Sequence, residues 1–176
     1  IDESFGGLSY FENGRSTQAA VTRVRKSVET NFRSALKFAD QGYYDGMVQE
    51  IYSAQEAVAE RGIGLDIAFS DDISIVVSQY VSRKLFTAST AMIKGLDHEV
   101  FMTHIDEALQ ATEQFNKGNE LNPKIYTAID NFVKGTVKIG NDILANNPDA
   151  NASADRYFDM ARNVGLKYQT GTNIQH

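Results

Sequence analysis

At 176 residues, 42% of them apolar and 23% charged, the chain has the size and composition of one compact domain with a sizeable core. A net charge of −6 argues against broad contact with a phosphate backbone, so nucleic acid is not an expected partner. With no cysteine there is no disulfide, thiolate–zinc site, thiol nucleophile or covalently attached haem, and the richest apolar run, ISIVVSQYVSRKLFTASTAMI, is too often interrupted by polar residues to span a bilayer.

Ile1 stands where an unprocessed chain would carry Met, so the expected location is the periplasm or the extracellular space, with the cytoplasm as the alternative. Residues 1–15 combine a Gly-Gly pair, an Asn-Gly pair and aromatics without helical spacing, which predicts an irregular N-terminal arm. Ser16 or Thr17 then caps a first helix whose stripe is Val21, Val24, Val28, Phe32, Ala35, Leu36 and Ala39, ending at Gly42. Tyr44, Met47, Val48, Ile51, Ala54 and Val58 carry the same spacing into a second helix that stops at Arg61-Gly62, and the short connection makes the two an antiparallel hairpin.

Ser70-Asp71-Asp72 supplies a cap and a first-turn charge pair for a third helix from Ile73 to Lys94-Gly95, apolar around most of its circumference and therefore expected to be central and buried. Asp97 caps a fourth, with the stripe Phe101, Ile105, Ala108, Thr112 and Phe115. Asn122-Pro123 starts a fifth, which runs through Ile125, Ile129, Phe132 and Val133 and breaks at Asn146-Asn147-Pro148. Asn151 or Ser153 opens a sixth, with Ala154, Tyr157, Phe158, Ala161 and Val164 facing inward until Gly165. The Asn151-Ala152-Ser153 sequon here serves equally as capping chemistry. The predicted fold is all-α, of five to six helices. It is a weakly repeat-like bundle in which two helical hairpins flank a central buried helix, as one domain over 16–166 with a C-terminal tail over 167–176.

Two stretches give that repeat-like character. IYSAQEAVAERG begins at Ile51 and IYTAIDNFVKG at Ile125, and Ser34-Ala35-Leu36 aligns with Glu107-Ala108-Leu109, so offsets of 73 and 74 recur. The paired hairpins resemble tetratricopeptide-like helical repeats. The spacing is twice that repeat's length and its tryptophan, glycine and proline pattern is absent, so no binding residue is carried over.

Catalytic signals are absent: no dinucleotide or phosphate-binding glycine loop and no Gly-x-Ser-x-Gly elbow occurs. His104 and Glu107 are three apart, a spacing that can share a metal, but the Glu-x-x-His pair of a carboxylate-bridged bundle is missing. No catalytic, metal or cofactor residue is therefore assigned. The tyrosines Tyr43, Tyr44, Tyr52, Tyr80, Tyr126 and Tyr157 lie near helix stripes and allow an alternative, a helical carrier of a small apolar or aromatic ligand, with an enzyme of unrecognised site as a third class.

Charge is the stronger signal. Residues 15–40 carry six cations against two carboxylates, a basic stripe on an acidic molecule suited to an acidic partner or to the acidic part of another copy. The expected function is a non-enzymatic helical adaptor or accessory subunit, within a larger assembly or a homo-oligomer. It would bind protein partners through hairpin surfaces and the N-terminal arm, with Phe5, Leu8, Tyr10 and Phe11 as apolar anchors and Arg23, Arg25, Lys26 and Arg33 as cations.

Overall fold

The computed structural model describes residues 6–59, 69–94 and 98–169. Six helices and no strand occur among them: α1 (Gly6–Gln41), α2 (Tyr44–Ala59), α3 (Phe69–Lys94), α4 (His98–Gln114), α5 (Gly118–Asn146) and α6 (Asn151–Tyr168). The predicted all-α class is what the chain adopts. It groups into two compact units, Ile1–Val76 and Val77–His176, with the division falling inside α3.

In the first unit α1 packs along α2. The buried residues of α1, Val24, Val28, Phe32, Ala35 and Ala39, recur at three and four residues and form one stripe, answered by Met47, Ile51 and Ala54 on α2. The chain reverses at Gly42, whose φ of 72° is left-handed. Its N–H donates to Ala39 O at 3.0 Å and the Tyr43 N–H to Phe38 O at 2.9 Å, while the Phe38 and Tyr43 rings meet edge-on at 5.5 Å. This is the paired-bond helix stop with its apolar clasp, and it needs the residue without a Cβ at position 42.

In the second unit α5 packs closely on α6, α5 also meets α4, and α4 touches α6. Phe101 and Phe132, both buried, stack between α4 and α5 at 4.1 Å. Gly140 is buried on α5, and a Cβ there would lie 2.6 Å from Cε1 of Phe158, so its missing side chain makes room for an α6 ring. The turn after α4 repeats the chemistry of the first hairpin. Asn116, at φ 54°, donates from N–H to Glu113 O at 3.1 Å, and the Lys117 N–H donates to Thr112 O at 2.7 Å. Ile51 and Ile125 are both fully buried, and the buried positions 28, 32, 35 and 39 of α1 correspond to 101, 105, 108 and 112 of α4 at the offset of 73 seen in the sequence.

Several boundaries differ from the pattern-based expectation. The arm predicted over 1–15 is helical from Gly6, because its glycines weaken a helix without stopping it, no proline intervenes, and extending an existing helix costs far less than nucleating one. α5 begins at Gly118 rather than at Asn122-Pro123, since the left-handed Asn116 has already reversed the chain; Pro123 sits exposed inside the helix. Gly165 is a buried packing position and not a stop, because α6 continues to Tyr168 and closes at the left-handed Gln169. On α3 burial follows one face, through Ile73, Val76, Val77, Tyr80, Val81, Lys84 and Ala88, while Ile75 and Phe86 are 59% and 62% exposed. The expected stops and caps at Gly62 and Asp97 lie outside the described residues.

Val77→Asp should yield no cooperative thermal transition by circular dichroism, because a buried unpaired carboxylate costs several kcal/mol against a typical domain stability of about 5–15 kcal/mol. Leu85→Asp, at a half-buried position, should fold with a lowered midpoint. Gly42→Ala should cost about 1–2 kcal/mol in denaturant unfolding, the penalty of a Cβ in the left-handed region, whereas Asn116→Gly should leave stability equal or raised.

Candidate functional site: a basic helix face and two carboxylate-centred clusters

On α1, where the helix turns 100° per residue, Arg23, Lys26, Arg33 and Lys37 fall within about 80° of one another and lie opposite the buried stripe. All four are exposed, and among the described residues no carboxylate is within ion-pair distance of any of them. Thr30 completes the ridge, with its hydroxyl donating back to Lys26 O at 2.8 Å. The structure thus brings three of the four predicted cations onto one surface and adds Lys37. Arg25, also exposed, stands on the flank beside the buried stripe and does not join them. Phe5 lies outside the described residues, as do the side chains of Leu8, Tyr10 and Phe11, whose backbone belongs to α1.

Two further polar clusters sit on α4, where Asp106 and Glu107 point in directions a quarter-turn or more apart. Glu107 Oε2 accepts from Lys84 Nζ of α3 at 2.7 Å and lies 2.9 Å from His104 Nδ1. Lys84 is buried and places its ammonium 5.2 Å from the centre of the Tyr80 ring. Burial pushes the Glu107 carboxyl up, but the hydrogen bonds and charges of Lys84 and His104 outweigh it and hold the group below its ordinary value. Asp106 faces α6: its Oδ2 accepts from Lys167 Nζ at 2.5 Å and its Oδ1 from the Tyr168 hydroxyl at 2.8 Å, with Met102 O a second acceptor at 3.0 Å. Burial, then the Asp106 carboxylate, raises the Tyr168 hydroxyl well above its usual range.

The sequence signal of His104 and Glu107 was a shared metal spacing, and the two side chains do converge. Lys84 occupies the same carboxylate oxygen, however, and no group of three His, Asp or Glu among the described residues is placed to hold a metal ion. The tyrosines do not line one chamber. Tyr80 is fully buried, whereas Tyr43, Tyr52 and Tyr126 are exposed. The clefts among the described residues include one of about 320 Å³ around Thr112, Asn116 and Asn122 and one of about 500 Å³ on α2 between Asp45, Gln49, Tyr52 and Glu56; both are open to solvent and lined by polar and apolar groups alike. No helix among the described residues is long and apolar enough to cross a membrane. Comparison with known proteins finds no match, whether to a protein family, a curated protein or a solved structure.

The Lys84–Glu107 contact predicts an order of stabilities. Glu107→Gln should melt below both the wild type and Lys84→Met, because it leaves a buried ammonium without its carboxylate, whereas Met fills the same space uncharged. The folded-state pKa of Glu107 is lowered, so its contribution is present above the ordinary carboxyl range and is lost as pH falls through the lowered value. Melting temperatures measured from about pH 6 to about pH 3 should therefore fall less steeply for Glu107→Gln than for the wild type.

Proposed function

We propose that the chain is a non-enzymatic helical adaptor or accessory subunit that binds protein partners through its hairpin surfaces and N-terminal segment. The observation that carries this reading is the ridge of Arg23, Lys26, Arg33 and Lys37 on α1, exposed and without an ion-paired carboxylate among the described residues, on a chain of net charge −6. By contrast, the cations Lys84, Lys134, Lys138 and Lys167 are each paired within the fold. A cluster of one sign steers an acidic partner and fixes its orientation. Leu8, Tyr10 and Phe11, in the N-terminal turns of the same helix, are the apolar anchors assigned to that partner, together with Phe5 before it. The alternative reading, a helical carrier of a small apolar or aromatic ligand, calls for an enclosed apolar cavity, whereas the clefts around Thr112 and Tyr52 are open to solvent.

In a pull-down from the natural source, Arg23→Glu/Lys26→Glu/Arg33→Glu should keep the wild-type circular dichroism and melting temperature yet lose the co-isolated chain. Arg25→Glu should retain it. Removal of residues 1–12, which shortens α1 by its first turns, should also release the partner. Unchanged co-isolation by the triple variant would sink the assignment of this face.

A further inference from the structure

We infer that the occupant of the α1 ridge is α2 of a second copy of this chain, an inference that rests on reading α1 as a docking face. The argument is one of register. Starting at Lys26, the exposed face of α1 presents Lys26, Thr30, Arg33 and Lys37, at steps of four, three and four residues. Starting at Asp45, the exposed face of α2 presents Asp45, Gln49, Tyr52 and Glu56 at the same steps. Laid side by side, parallel and in register, the two faces set Asp45 against Lys26, Gln49 against Thr30, Tyr52 against Arg33 and Glu56 against Lys37. Those are an ion pair, an amide–hydroxyl hydrogen bond, a guanidinium on an aromatic ring and a second ion pair. Both runs cover twelve residues, eleven steps of 1.5 Å or about 16 Å of helix, so the terminal pairs fall in step without adjustment.

The two faces do not meet within one molecule. Each lies opposite the residues its own helix buries in the hairpin, Val24, Val28, Phe32, Ala35 and Ala39 on α1 and Met47, Ile51 and Ala54 on α2. Complementarity between them is thus satisfied only between copies. The outer face of α2 carries Asp45 and Glu56 beside the neutral Gln49 and Tyr52, and the helix contains neither Lys nor Arg, so the charge on that face is of one sign. Nor does hairpin construction alone dictate the pattern. The α4 positions that correspond to the ridge at the offset of 73 are Glu99, Thr103, Asp106 and Gln110, also exposed but without a cation, and there Asp106 is already held by Lys167. Because the contact joins unlike faces, each pairing leaves one α1 and one α2 open, and the association extends head to tail or closes into a ring.

Exposed ion pairs are individually weak, so the expected association is reversible and salt-dependent. Sedimentation velocity of the full chain over a concentration series at about 10 mM salt should show mass above the monomer, at least roughly tenfold weakened at about 300 mM, where the screening length falls below 10 Å. Lys26→Glu/Lys37→Glu and Asp45→Lys/Glu56→Lys should each be folded by circular dichroism and monomeric. Mixed, they should associate again with the two variants alternating, because the acidic α2 of the first complements the basic α1 of the second and the reversed α1 of the first complements the reversed α2 of the second. Combining all four substitutions in one chain should restore self-association. A wild type that stays monomeric at low salt, a charge-reversed pair that associates as before, or a mixture that stays monomeric overturns the inference. If it is overturned while Lys26→Glu still releases the partner from the natural source, the α1 face serves a different acidic protein; if neither effect appears, both readings fall.

Discussion

Chain reversal by one left-handed residue is the constraint on which the hairpins depend. Gly42 after α1 and Asn116 after α4 each close the preceding helix with a pair of backbone bonds to carbonyls that would otherwise lack partners, and the next helix starts two residues later. With the connection this short, α1 must return along α2 and α5 must leave α4 beside it. The apolar stripes then have a facing partner by geometry, and Ile51 and Ile125 become equivalent core positions nine residues beyond their respective left-handed residues. Glycine and asparagine are the residue types that adopt this conformation at least cost, so two different residues reach the same turn.

Once the stripes are buried, the remaining polar chemistry divides into groups used inside the fold and groups left on its surface. Asp106 and Glu107, neighbours in sequence, reach different helices: Glu107 ties α3 to α4 through a buried lysine, and Asp106 ties α6 to α4 through Lys167 and Tyr168. The buried hydroxyl of Thr136 is satisfied within its own helix, donating to Phe132 O at 2.8 Å. The cations of the α1 ridge are the opposite case. They face solvent along several turns without an internal partner among the described residues, and like charges held on one face repel one another unless something anionic is near. That contrast between lysines spent on structure and lysines left outward is what supports the interaction role.

The two hairpins share a grammar and differ in their surfaces. Burial and turn chemistry repeat at offsets of 73 and 74 residues, yet the face that is basic on α1 is acidic or neutral on α4. A core stripe is restricted by packing to apolar residues of fitting size, whereas an outer face is free to take whatever charge its contacts favour. Similar scaffolds can therefore carry different surfaces, and the complementarity between α1 and α2 lies within the first of them.

What the sequence determined by itself was local: the helical period, the core stripes, the absence of thiol chemistry, and the collection of cations on the first helix. These are readable because a helix places residues three and four apart on one face whatever surrounds it. Tertiary structure decided what periodicity does not encode. The helical start at Gly6 reflects extension of a formed helix through glycines that read as a break. The exposure of Phe86 and Ile75 reflects which side of α3 found cover, since apolar composition says that a helix can be buried but not along which face. The pairing of Lys84 with Glu107, 23 residues apart, and of Lys167 with Asp106, 61 apart, exists only once α3, α4 and α6 are docked. That docking turned a histidine–glutamate spacing suited to a metal into a tether occupied by lysine, and sorted Arg25 from the three cations with which it had been grouped, because the side chain's place around the helix depends on where the core lies.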